Sequence, residues 1–109
     1  MDLNDYQQKS RRTAFYPNLG SNTIYPTLGL VGEAGEVADK VKKVLRDNNG
    51  EFDSDIKKGI MYELGDVLWY IAQLSTELGF DLNDIANENL DKLKSRATRG
   101  TISGSGDTR

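Results

Sequence analysis

The sequence predicts an all-α domain, a bundle of four helices. Three observations carry the prediction. Apolar residues recur at three-to-four spacing through the middle of the chain, no strand-like alternation is sustained anywhere, and clusters of Gly, Pro and Asn cut the chain into pieces of helical length. Four helices joined by short loops leave a bundle as the natural packing for so short a chain.

Residues 2–16 form the first expected helix, since they tolerate helix throughout and hold no Gly or Pro before Pro17, Gly20 and Pro26 mark a loop. The second is expected from near Thr27, with Leu30, Ala34, Val37, Val41 and Val44 as its apolar stripe and Asn48, Asn49 and Gly50 as its stop. Asp53 and Ser54 are placed to cap a third helix whose stripe runs Ile56, Ile60, Leu64, Val67, Ile71, Leu74, Leu78, with Gly79 ending it. Asp81 is placed as N-cap of a fourth, which carries Asp84 in its first turn and runs through Ile85, Leu90 and Leu93 to about Ala97. Residues 1–100 thus read as one helical domain and residues 101–109 as a small, polar, flexible tail.

Composition narrows the chemistry. The chain of 109 residues carries 14 Lys and Arg against 17 Asp and Glu, a net charge of −3, so it presents no basic field for a nucleic-acid polymer. Its apolar runs are short and residues 1–20 lack the apolar core of a signal peptide, which points to a cytoplasmic protein with no membrane role. There is no Cys and no His, which excludes a disulfide, a cysteine nucleophile, a Ser-His-Asp triad and an ordinary zinc site. Any metal must accept oxygen ligands, which favours Mg²⁺ or Mn²⁺. A domain this small hides only about two thirds of its surface on folding, so self-association would help it.

The second and third helices repeat one phrase: Glu33-x-Gly35-Glu36-Val37 and Glu63-x-Gly65-Asp66-Val67. At about 100° per residue the second acid of each pair lies near 300° from the first, while the apolar stripe covers roughly 20° to 160°. Both pairs therefore flank a buried seam, and packing through the seams would bring Glu33, Glu36, Glu63 and Asp66 to one edge. One such pair alone is an ordinary solvated face, with Glu36 and Lys40 as an i, i+4 ion pair. The doubled pattern favours convergence, and four converging carboxylates either take up protons or hold cations. Gly29, Gly32, Gly35 and Gly65 inside helices suggest close backbone approach, because Gly in a helix interior costs about 1 kcal/mol relative to Ala. The acidic stretch from Asp47 is not a calcium loop: Phe52 holds the sixth position, where Gly is needed, and Lys58 the twelfth. No phosphate-binding glycine loop is present.

With these motifs and the surrounding LGLVGEAGEVADKVKK, ELGDVLWYIAQL, NENLDKLKSR and GSGDTR, the chain resembles the MazG-like nucleoside triphosphate pyrophosphohydrolases of the all-α NTP pyrophosphohydrolase superfamily. The resemblance runs from about Tyr6 onward. It implies a homodimeric or homotetrameric, Mg²⁺-dependent hydrolase, with Mn²⁺ able to substitute, that cuts (deoxy)nucleoside triphosphates into monophosphate and pyrophosphate. By the resemblance, Glu33, Glu36, Glu63 and Asp66 are the metal ligands, with Glu36 and Glu63 as the catalytic pair and Glu36 preferred for handling the water. Lys92 and Arg96 are expected to reach phosphate oxygens and Asn89 the nucleotide. Lys40 and Lys43, on the acid face, either assist phosphate binding or make ion pairs. Tyr70, one turn beyond Asp66 at about 340°, is placed to stack on a base or sugar, whereas Trp69, at about 240°, projects toward an expected subunit interface. The tail either folds over bound phosphates, with Arg109 as its last cation, or stays a free end. Two alternatives remain open: a phosphoribosyl-ATP, dUTP or dCTP pyrophosphohydrolase of the same superfamily, or a non-catalytic helical interaction module.

Overall fold

A computed structural model describes residues 1–107, and it is helical throughout its regular structure, with α1 over Leu3–Arg11, α2 over Ile24–Asp47, α3 over Ser54–Leu78 and α4 over Leu82–Arg99. Among the described residues, no helix is long and apolar enough to cross a membrane. The tail cation Arg109 lies outside the described residues.

Local chemistry sets the boundaries. Asp2 and Asp5 form a reciprocal capping box at the start of α1. The helix stops at Arg11, earlier than the composition of residues 2–16 predicts. There Thr13 and Ala14 bond back three residues, to Ser10 and Arg11, and the Thr13 hydroxyl takes the Ser10 carbonyl as well. The second helix starts earlier than expected, at Ile24, with Pro26 in its first turn, where a missing N–H costs no helical bond. Thr23 occupies the N-cap position, yet the cap bonds come from Asn22, whose Oδ1 accepts from the amides of Ile24 and Tyr25. The third helix has the expected limits: Asp53 accepts from the Ile56 amide, and Gly79 takes the left-handed conformation that lets Phe80 N–H reach the Ser75 carbonyl. Asp81 is the N-cap residue of α4, but its side chain makes no cap bond. Gln7 and Asn4 of α1 supply the acceptors instead, for the amides of Leu82 and Asn83.

The packing departs from a bundle closed within one chain. The hairpin partners α2 and α3 lie along one another, α1 lies on α3, and α4 packs on α1 with at most marginal contact to α2 and α3. The Cα radius of gyration is 16.8 Å, against about 13 Å for a compact domain of this length. Few apolar side chains among the described residues are buried: Ala14, Tyr16, Pro26, Val44, Ala72 and Leu82. Stripe residues Leu64, Leu78, Leu90 and Leu93 stay exposed, because the stripes of α3 and α4 do not face one another within the chain.

Polar side chains hold the centre. Gln73 is fully buried, donating to Ser10 Oγ at 2.8 Å and accepting from Arg11 at 3.1 Å. Gln7 donates to Thr76 Oγ1 and to the Phe80 carbonyl while its oxygen caps α4. Each buried polar atom in this set has a partner, so burying it carries little desolvation penalty.

Candidate active site

The paired helices bring three of the four predicted carboxylates together. Oxygens of Glu33 on α2 and of Glu63 and Asp66 on α3 lie within 4.8 Å of one another. Glu36, one turn along α2 and exposed, stays outside this triple but is close enough for its charge to act on Glu33. The Glu33 carboxyl is pushed above the ordinary range, first by burial, then by the charges of Asp66, Glu63 and Glu36, and by a hydrogen bond shared with Glu63. An all-oxygen set under mutual repulsion is what a hard divalent cation relieves, so these residues fit Mg²⁺ or Mn²⁺.

The cations around the triple are distributed unevenly. Lys40 Nζ lies 3.7 Å from Glu63 Oε1, across the helix pair, rather than pairing with Glu36 along its own helix. Both groups are partly solvated, so the pair contributes only about 0–1 kcal/mol, and it marks a cation poised beside the acids. Lys43 is held at 2.8 Å by Asp39, which also takes Lys42 at 3.1 Å; the sequence reading did not single out Asp39. Hydrogen bonds from Lys43 and then Lys42 hold the Asp39 carboxyl at about 2. Lys40 and Lys43 line an open cavity of about 430 Å³ with Val44, Asp47 and Ile56.

A ladder of tyrosine rings ends beside the site at Tyr70. Tyr16 stacks on Tyr25 at 4.9 Å between centroids, Tyr25 meets Tyr70 at 6.5 Å, and Trp69 meets Tyr70 edge-on at 5.0 Å. The Tyr70 phenol is raised first by burial, then by Tyr25 and by the charges of Glu33 and Asp66, which puts its ring beside the carboxylates as its helical phase predicts. Its place requires Gly29, because a Cβ there would overlap the Tyr70 ring. The other glycines correct the sequence reading: a Cβ at Gly32, Gly35 or Gly65 would meet nothing within 4 Å, so these positions border open space in the chain rather than a close backbone crossing. Trp69 donates its indole N–H to Thr13 Oγ1 at 3.0 Å, a solvent-exposed bond to the turn that follows α1. Tyr6 of α1, unmarked by any motif, also lies near the triple, its phenol raised by burial and then by Asp66.

The α4 residues stand apart. Asn89 is exposed and lines an open cavity of about 560 Å³ with Phe80, Ile85 and Lys92. Lys92 and Arg96 are bound to Asp107 of the tail, and among the described residues α4 has at most marginal contact with the carboxylate helices.

A profile of the MazG nucleotide pyrophosphohydrolase domain matches residues 23–100, which takes in both acid pairs and the α4 cations. The chain belongs to the MazG family. The "Gene 37 protein" of Mycobacterium phage L5 is 46% identical over 114 residues, covering 100% of this chain and 100% of that protein. No solved structure matches the chain. The MazG match begins at Thr23, the N-cap position of α2, so α1 with its Gln7, Ser10 and Arg11 network lies before the matched region although it braces α3 and starts α4. A nucleotide pyrophosphohydrolase activity is what this family membership supports, and the acidic triple lies within the matched region.

Proposed function

We propose that this MazG domain hydrolyses (deoxy)nucleoside triphosphates to the monophosphate and pyrophosphate in the cytoplasm, with Mg²⁺ held by Glu33, Glu36, Glu63 and Asp66. The observation that carries the reading is the convergence of Glu33, Glu63 and Asp66 within 4.8 Å from two helices. Mg²⁺, or Mn²⁺ in its place, would supply neutralisation of the triphosphate and a more acidic water. Glu33, Glu63 and Asp66 would hold the ion together with Glu36, and Glu36, exposed one turn along α2 from Glu33, would also orient the attacking water and accept its proton. The water oxygen bonds to the α-phosphorus while the bond from that phosphorus to the bridging oxygen breaks, its electron pair leaving with pyrophosphate. Lys40, beside Glu63, and Lys43 take phosphate oxygens from the α2 side, Lys92 and Arg96 from α4. Tyr70 provides the stacking face and Asn89 a polar contact for the nucleoside.

The working form in this proposal is a homodimer or homotetramer. Ile24, Leu28 and Val31 lie at i, i+4 and i+7 on α2 with two thirds of their surface open, and Leu90 and Leu93 add exposed apolar area on α4. A second copy covers these stripes and completes the bundle that one chain leaves open.

Incubation with a panel of ribo- and deoxyribonucleoside triphosphates and Mg²⁺, read by phosphorus NMR, should show monophosphate and pyrophosphate. Diphosphate with orthophosphate would mean cleavage at the γ-phosphorus and overturn the assignment, and no turnover with either Mg²⁺ or Mn²⁺ would leave the domain an interaction module. Sedimentation velocity should give a dimer or tetramer of the 12.1 kDa chain, and a fully active monomer would remove the oligomer from the proposal.

A further inference from the structure

Lys92 and Arg96 stand one helical turn apart on α4, so their cationic heads can meet at one point. Arg96 is unusually enclosed, its side chain 5% exposed, and a guanidinium is rarely so deep without an anion to satisfy it. The anion is a residue of the same chain. Asp107 Oδ1 accepts from Lys92 Nζ at 2.9 Å and from Arg96 Nη2 at 3.2 Å, and the same Nη2 donates to the Gly106 carbonyl at 3.3 Å.

The path to that contact is built into the backbone. Gly100 ends α4 in the left-handed region, with Thr101 N–H returning to the Arg96 carbonyl at 2.8 Å, and Gly104 and Gly106 also take positive φ, which only Gly adopts without strain. The chain is thereby turned back along α4 rather than continued away from it. The Asp107 carboxyl is held below the ordinary range by its hydrogen bonds from Lys92 and then Arg96, so the contact is ionic at neutral pH. Yet Asp107 is 82% exposed while Arg96 is enclosed: the seat belongs to the helix, and the carboxylate rests at its mouth.

We propose that residues 101–107 form a strap in which Asp107 occupies an anion seat made by Lys92 and Arg96, and that a phosphate group of a nucleotide's polyphosphate must displace this carboxylate to bind there. A phosphate oxygen presents the same acceptor to the same two donors with more negative charge, so the exchange is favourable once the strap opens. The strap lowers apparent affinity by the fraction of time the seat is free. The inference deepens the phosphate-binding role given above to Lys92 and Arg96, but its test needs no turnover.

Calorimetric titration of the full chain with inorganic tripolyphosphate, without divalent metal, compares the parent with Asp107→Asn and with Asp107→Asn/Lys92→Gln. Asp107→Asn should bind about three- to tenfold more tightly, as expected if the strap is closed roughly 70–90% of the time, and the added Lys92→Gln should abolish that gain. Equal or weaker binding by Asp107→Asn, or a gain that survives Lys92→Gln, would overturn the strap. Tighter binding by Asp107→Asn in a protein that hydrolyses no triphosphate would uphold the strap and remove the catalytic reading instead.

Discussion

Replacing Glu63 by Gln is expected to lower triphosphate turnover by at least about a hundredfold, the order of magnitude lost when a metal ligand or a charge-stabilising group is removed from a preorganised site. Glu63 is the best-connected member of the triple: it lies within 4.8 Å of Glu33 and Asp66, shares a hydrogen bond with Glu33 and faces Lys40 across the helix pair. Gln keeps the shape and one acceptor oxygen but not the charge. Three carboxylates repel in the absence of a cation, so removing one should leave the fold intact and the thermal midpoint unchanged or slightly higher. Steady-state rates and a Mn²⁺ titration monitored by the ion's paramagnetic resonance check this together. A variant with normal turnover, or with normal Mn²⁺ affinity, would show that the triple is not the metal centre.

The largest expected loss of stability comes from Glu77, a residue with no place in any catalytic motif. Its side chain is 1% exposed, and its two oxygens accept from Arg11 at 3.1 Å and from the amides of Gly20 and Asn22 at 3.0 Å each. These bonds fasten the loop between α1 and α2 to α3. Through Arg11 they continue to Tyr16 and Gln73. Removing one member of an enclosed ion pair strands the other, at a cost of about 3 kcal/mol. Glu77→Gln should show that loss at neutral pH as a lower urea midpoint.

The pH dependence follows from the direction of its shift. Burial would raise the Glu77 carboxyl, but the Asn22 and Gly20 amides and then Arg11 outweigh it, and the group titrates below its ordinary 4.5. The stabilisation it brings is therefore complete above about pH 4.5 and is lost as pH falls through the lowered folded value. The gap between parent and Glu77→Gln should narrow over that acidic range. A gap independent of pH would show that Gln loses shape rather than charge.

Both residues illustrate what was legible in the chain beforehand. The repeated acid pairs carried the site, because helical phase alone aligns Glu33 with Glu63 and Asp66 once the two seams pack. Glu77 carried no such signal: it pairs with backbone amides of a loop and with Arg11, and long-range partners leave no trace in local periodicity. Tyr6 was silent for the same reason, whereas Asp39 pairs with Lys42 and Lys43 at i+3 and i+4, a spacing that helical periodicity makes legible. The start of α2 moved because Asn22 caps it before Pro26, whereas α4 starts after Asp81 as expected but takes its cap bonds from Gln7 and Asn4 across the fold.

By itself the sequence determined the all-helical class, the stop of α2 at the Asn48–Gly50 cluster, the stop of α3 at Gly79, and the oxygen-only chemistry that follows from having neither Cys nor His. These are local properties: backbone propensity, left-handed turns and side-chain inventory act within a few residues. Only the tertiary structure decided that Glu36 stands outside the triple, that Lys40 faces Glu63 while Lys92 and Arg96 face Asp107, and that the stripes of α3 and α4 do not meet inside one chain. An apolar stripe states that a face is to be covered. Which surface covers it, and which charges meet when it does, depends on residues distant in sequence and is settled by packing.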